Sequence, residues 1–264
     1  GATANGTNIS NFVATSSTTN AGFATLTAGN SGSTITMTNS VSGAYTLNGG
    51  SGIDTLSVPY NEGPSIELTL TLAGATNFEN ILGSGNAEVI RGDAGANVLS
   101  GNGGADTIYG GGGNDFLGGE DVNSSENASQ HQNRANDTDA THNDTLYGQA
   151  GDDVLVGSYG DDTLDGGTGV DTIYSGGGSD TIVLRVGDGG STLADADTIT
   201  DFTDGSDKMG MDDNLQFSQL TIAQGTGSNS SDTIISKGSE YLAILTGIDA
   251  SVLSEADFTP VDIA

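Results

Sequence analysis

From Gly148 to Val183 a single apolar position recurs at every ninth residue: Leu155, Leu164, Ile173 and Ile182. The phrases that carry it are GQAGDDVLV, GSYGDDTLD, GGTGVDTIY and SGGGSDTIV. The last three places of each phrase predict a very short strand, its middle side chain inward and its neighbours outward. Glycine holds the fourth place throughout and the first place in three phrases. It supplies the positive φ of a tight turn and lets the backbone approach an ion closely. Two phrases make one coil of chain, with a strand and a turn on each side.

The same frame opens at Gly83 with GSGNAEVIR, GDAGANVLS, GNGGADTIY and GGGGNDFLG, whose inward places are Ile90, Leu99, Ile108 and Leu117. A polar excursion over residues 119–141 interrupts it, and the frame returns at Asn143–Tyr147 with His142 in a glycine place. An isolated copy, GGSGIDTLS, lies out of frame at Gly49–Ser57. Before it, bursts such as Phe12–Thr15, Phe23–Thr27, Thr34–Thr38 and Ala44–Leu47 alternate at period two between Gly, Asn and Ser, which predicts strands. Ser65–Leu72 predicts a longer strand or a pair. The expected fold is all-β: a right-handed parallel β-roll or β-helix solenoid with an N-terminal β extension and a C-terminal β cap. Three regions are expected: a Ser/Thr-rich β region at 1–82, the roll at 83–183 with its loop at 119–141, and a cap at 184–264.

The sixth place gives the array its chemistry. It reads Glu88, Asn97, Asp106, Asp115, Asp144, Asp153, Asp162, Asp171 and Asp180, with Asp54 in the isolated copy. Asp144, Asp162 and Asp180 stack on one edge of the coil, Asp153 and Asp171 on the other. Neighbouring strands lie about 4.8 Å apart, and a Ca²⁺–oxygen bond is about 2.3–2.6 Å. One ion between successive turns can therefore reach two carboxylates. Turn carbonyls, such as those of Gly148, Gly151, Gly157, Gly160, Gly166 and Gly169, complete the oxygen set that a hard cation requires. Asn97 keeps one neutral oxygen and Glu88 is longer, so the first turns are expected to bind weakly or not at all. Several calcium ions are expected, acting as folding cofactors. One buried Leu or Ile per phrase contributes about 1.5–3 kcal/mol, set against about 1–2 kcal/mol of backbone entropy per residue.

Composition narrows the partners. The 264 residues carry a net charge of −30, with 35 Asp and Glu against five Lys and Arg. That balance disfavours nucleic acid and anionic membranes. No apolar run reaches the length of a membrane span, and the first residues lack a signal-peptide pattern. The absence of Cys excludes disulfides and thiolate metal sites. His131 and His142 lie in or beside the excursion; a solvated loop accounts for them more simply than a transition-metal site.

The array resembles the RTX (repeats-in-toxin) family of calcium-dependent β-rolls, whose signature is G-G-x-G-x-D-x-U-x. Ala196–Phe202 followed by Gly205–Lys208 is similar to the segment that closes such rolls, which implies metal-ligand roles for Asp197 and Asp201. Asp232–Ile235, Tyr241–Leu245 and Ala256–Phe258 resemble the family's C-terminal sheet. The resemblance implies type I secretion by an uncleaved C-terminal signal and an extracellular or cell-surface location.

No H-E-x-x-H and no G-x-S-x-G occurs, and the repeat accounts for most carboxylates, so no catalytic residue is expected. The leading expectation is a structural or adhesive module of a bacterial surface layer, filament or adhesin, with itself as a possible homo-oligomeric partner. The alternatives are the secretion and folding domain of a larger enzyme, or an ice-binding solenoid suggested by Thr107, Thr145, Thr163, Thr172 and Thr181. Val98, Phe116 and Val154 interrupt that threonine row.

Overall fold

The computed structural model describes residues 79–83, 85–120 and 142–263, preceded by short strands between residues 4 and 76. Among them no α-helix occurs; strands alternate between two parallel stacks. One stack runs Asn80–Leu82, Val98–Asn102, Phe116–Glu120, Val154–Val156, Thr172–Tyr174 and Asp197–Ile199. The other runs Glu67–Thr69, Val89–Arg91, Thr107–Gly112, Thr145–Ala150, Thr163–Thr168, Thr181–Leu184, Lys208–Met211 and Phe258–Pro260. Consecutive strands therefore belong to opposite stacks, which is the coil that two nine-residue phrases prescribe.

Each stack presents one unbroken line of apolar side chains to the interior. Ile81, Leu99, Leu117, Leu155, Ile173 and Ile199 pair in register on one side. Ile90, Ile108, Leu146, Leu164, Ile182 and Met209 pair on the other. All of these are at most 1% exposed. The interior is one residue wide from each side, because strands this short turn only one side chain inward.

The interruption at 119–141 leaves the pairing intact. Thr107 pairs with Thr145, as Thr145 does with Thr163. The ladder step there spans 38 residues instead of 18. The extra chain is thus inserted in a turn, in the third place of a phrase, with Glu120 before it and His142 after it.

The roll is continued at both ends. Thr55–Ser57 pairs in parallel with Asn80–Leu82, and Thr34–Met37 and Asn11–Ala14 extend the same sheet. Ala4–Asn5, Ala24–Thr27, Tyr45–Asn48 and Ala75–Thr76 make a further parallel sheet. At the other end the antiparallel strands Thr233–Lys237 and Glu240–Leu245 cover the open edge of Asp197–Ile199. Covering that edge removes a row of unpaired backbone groups. Asp232–Ile235, expected as strand, begins one residue later, at Thr233.

Register also revises the threonine row. Thr107, Thr145, Thr163 and Thr181 form one uninterrupted column on one sheet. Val98, Phe116 and Val154 stand on the opposite sheet, leading to Thr172 and Thr198. The row read as interrupted along the chain is two columns in space, because alternate phrases face opposite ways.

Candidate metal centre

The sixth-place residues form two ladders, one on each edge. In the first, Asp106 Oδ1 accepts from the Glu88 amide at 2.7 Å, Asp144 Oδ1 from Asp106 at 2.7 Å, and Asp162 Oδ1 from Asp144 at 2.7 Å. Asp180 Oδ1 then accepts from Asp162 at 2.9 Å, and Asp207 Oδ1 from Asp180 at 3.1 Å. In the second, Asp115 accepts from Asn97, Asp153 from Asp115, Asp171 from Asp153 and Asp197 from Asp171, all at 2.7–2.9 Å. One carboxylate oxygen of each residue is thus committed to the amide of the preceding coil.

The second oxygen is not. Oδ2 of Asp106, Asp115, Asp144, Asp153, Asp162, Asp171 and Asp180 is buried and accepts no hydrogen bond from the protein. A buried polar atom without a partner costs about 1–3 kcal/mol, and more when charged. Six of the seven are aimed at a first-place glycine; the phrase of Asp180 has Ser175 in that place. A Cβ on Gly101, Gly110, Gly119, Gly148, Gly157 or Gly166 would overlap the Oδ2 of the aspartate next in its own phrase. The same position lies against a first-place carbonyl of the next coil: Gly119, Gly148, Gly157, Gly166 and Ser175 contribute theirs beside Asp106, Asp115, Asp144, Asp153 and Asp162 respectively. Carboxylate and carbonyl oxygens face one another there, and both are acceptors. With the carboxylate ionised, a cation satisfies both, and an all-oxygen set suits a hard one.

Burial drives the electrostatics. Desolvation, augmented by the neighbouring rungs and opposed by the amide bonds, pushes Asp106 and Asp162 up to about 8. It raises Asp115, Asp171 and Asp180 to about 7, and Asp144 and Asp153 to about 6. Asp197 is raised to about 8, by burial first and by Asp171 second. These carboxylates resist ionisation until positive charge arrives.

The remaining expected site residues separate by geometry. Glu88 Oε2 lies beside Gly83, where the aspartates have Oδ2. Asn97 Oδ1 accepts from the Asp93 amide at 2.9 Å and lies against Gly92 where later phrases have aspartate Oδ2, but as a neutral amide it brings no charge. Asp201 stands off the ladders: its oxygens accept from the amides of Ser175 and Gly176 at 2.9 and 3.1 Å. The carbonyls of Gly148, Gly157 and Gly166 abut Oδ2 of the preceding coil, whereas those of Gly151 and Gly160 abut the fourth-place glycines Gly169 and Gly178. Gly169 itself, at φ 140°, packs on Gly151 O. Asp54 and His131 lie outside the described residues. His142 Nδ1 lies 2.8 Å from Glu120 Oε1.

Two features escape a nine-residue reading. Asp207 closes the first ladder 27 residues after Asp180, beyond an irregular stretch. Its signals are its place in the Gly205–Lys208 segment and its position before Lys208, as each sixth-place aspartate precedes its outward residue. The fifth place builds outer ladders as well. Asn114 accepts from Asp152 and Asp152 from Val170; Asn143 accepts from Asp161 and Asp161 from Ser179.

The RTX calcium-binding nonapeptide repeat family matches in four copies, at residues 82–117, 141–158, 147–182 and 156–190. The matched segments are RTX calcium-binding repeats. No curated protein matches the chain. Among solved structures it is similar to the extracellular lipase LipA from Serratia marcescens, at 15% identity and TM-score 0.33, covering 78% of this chain and 44% of that one. It is also similar to a subunit of the mannuronan C5-epimerase of Azotobacter vinelandii, at 20% identity and TM-score 0.27, covering 67% and 80%. The chain spans less than half the length of the lipase. Among the described residues, no helix is long and apolar enough to cross a membrane.

Proposed function

We propose that this chain is an extracellular calcium-folded structural module, serving in a bacterial surface layer, filament or adhesin. The observation that carries the reading is the file of seven buried Oδ2 atoms, each without a hydrogen-bond donor. Calcium at these positions would be held by Asp106, Asp115, Asp144, Asp153, Asp162, Asp171 and Asp180 with first-place carbonyls. When bound, it supplies the positive charge that lets the ladders ionise. Glu88 offers a longer arm at the first turn, Asp197 ends the second ladder, and Asp201 acts as a turn clasp. The regions 1–82, 83–183 and 184–264 then serve as extension, calcium-binding roll and cap.

The chain's own residues do the rest. Inward Leu and Ile exclude water, first-place glycines leave room for the ion, and Oδ1 atoms hold consecutive coils at one spacing. Such a device makes folding conditional on external calcium, which suits a protein secreted unfolded and assembled outside the cell. An attached enzyme would be served equally well by the same roll, but nothing in the array itself supplies catalytic groups. Light scattering and circular dichroism with and without calcium test the reading. Compaction, gain of β-structure and growth of a higher-order species on adding calcium support it. A chain equally folded without metal overturns the folding role, and a strict monomer at high calcium that adheres to nothing overturns the assembly role.

A further inference from the structure

A cavity of about 360 Å³ opens on the outer face of the sheet that carries Thr107–Gly112, Thr145–Ala150 and Thr163–Thr168. Its walls include Tyr147, Gln149, Asp165, Thr168, Arg185 and Asp188. The volume lies within the range of about 300–1,000 Å³ typical of small-ligand clefts.

The wall geometry follows from register. Arg91, Tyr109, Tyr147 and Asp165 occupy paired positions on successive strands. The rings of Tyr109 and Tyr147 are stacked, 4.8 Å between centroids and 10° between planes, so the stacking axis runs along the ladder. Arg91 covers the far side of Tyr109 at 3.9 Å. The second face of Tyr147 therefore points at the Asp165 strand. Asp165 on that strand is held by Arg185, whose Nη1 and Nη2 donate to its two oxygens at 3.2 and 2.8 Å, and both side chains line the cavity beside Tyr147.

The geometry points to a binding slot for a neutral pyranoside of one or two rings, between the Tyr147 face and the Arg185–carboxylate wall. An aromatic face takes the C–H side of a sugar ring, and carboxylate and amide groups take its hydroxyls. Charge decides against the other occupants. Arg185 also donates through Nε and Nη2 to Asp212 and through Nη1 to Asp188. Its five N–H donors are then all engaged, so an anionic ligand finds no free donor there and faces the carboxylates of Asp165 and Asp188, which outnumber the one guanidinium. A cation meets the guanidinium on the opposite wall. A neutral hydroxyl-rich ring can donate to the remaining lone pairs of Asp165 and Asp188, and Gln149 and Thr168 stand at the rim.

This slot would supply the ligand class for the adhesive reading above and rests on it; its floor is the sheet face at Tyr147 and Asp165, while its rim residues Gln149 and Thr168 belong to the turns. The test is saturation-transfer NMR of the calcium-loaded chain with maltose, cellobiose, lactose and chitobiose, and with an oligouronate as the anionic control. Circular dichroism of the same samples reports folding separately. Binding of at least one neutral disaccharide is expected, weakened at least about tenfold by Tyr147→Leu and by Asp188→Asn, with the calcium-induced spectrum retained. Should Tyr147→Leu fail to fold, Thr168→Arg at the exposed rim is expected to block the slot instead. The inference is overturned if folded protein binds none of the four sugars, if the oligouronate binds as well as they do, or if blocking the slot leaves binding unchanged.

Discussion

Neutralising a rung of the ladder, by acid or by mutation, is expected to stabilise the metal-free chain while weakening the calcium-loaded one. Asp162 is the sharpest case. It is 1% exposed, and burial, with Asp144, Asp180 and Glu120 around it, raises it from 3.8 to about 8. The folded protein holds this proton to higher pH than the unfolded chain does. The metal-free fold is therefore fully stabilised below about pH 4 and loses that contribution as pH rises towards about 8. At pH 7, three units above the unfolded value, the loss is about 4 kcal/mol at 1.36 kcal/mol per unit. Asp106 and Asp197 are raised equally far. Each acts with the same sign, so ionising the buried ladders of the metal-free protein at pH 8 works against the fold. Asn at this position keeps the Oδ1 acceptor for the Asp144 amide and turns an N–H₂ donor towards the Ser175 carbonyl, the oxygen that otherwise faces Oδ2. The assay is urea denaturation followed by circular dichroism on metal-stripped protein between pH 5 and pH 8, wild type against Asp162→Asn, repeated in calcium. Wild type without metal should be more stable at pH 5, Asp162→Asn should gain stability at pH 8 without metal, and it should lose stability in calcium. Equal destabilisation by Asp162→Asn with and without calcium, or a metal-free fold that strengthens towards pH 8, would refute the reasoning.

Four further outcomes follow from particular contacts. Gly166→Ala places a methyl group on Asp171 Oδ2 without demanding an unusual φ. Overpacking of this kind costs about 1–3 kcal/mol, and calorimetric titration should show reduced calcium uptake. Leu164→Ala empties a fully buried place in the one-residue-wide interior, so a loss of about 2–5 kcal/mol is expected by calcium-loaded urea denaturation. Arg185→Ala strands Asp165 and Asp212, whose side chains are 8% and 6% exposed, and should lower stability by about 3 kcal/mol, read from the melting temperature. Replacing residues 121–141 by one residue should leave the calcium titration and the β-spectrum unchanged, since Thr107 already pairs with Thr145 across that segment; a collapse of either would show that the insertion helps hold the roll.

The nine-residue period was sufficient to place the core and both edges. A repeat with one inward residue and one turn per phrase can bury that residue only by stacking, so Leu155, Leu164, Ile173 and Ile182 predict the two stacks directly. The same period places Asp144, Asp162 and Asp180 on one edge and Asp153 and Asp171 on the other. Where the period fails, only Asp197, expected from the closing segment, joins its ladder as read. Asp207 joins its ladder across 27 residues that no fixed spacing brings into line, and Asp201 is drawn off the ladders by the amides of Ser175 and Gly176.

Sequence by itself determined what repeats: which residue turns inward, which turns at the glycines, and that acids accumulate at the turns. Tertiary structure alone decided how each carboxylate divides its two oxygens, one to the amide of the preceding coil and one towards a carbonyl of the following coil. It also separated one threonine row into two columns and set Tyr147 beside an aspartate that Arg185 holds. The reason is physical. A local period fixes the direction of a side chain relative to its own backbone, whereas a partner contributed by another coil exists only once the register between coils is set.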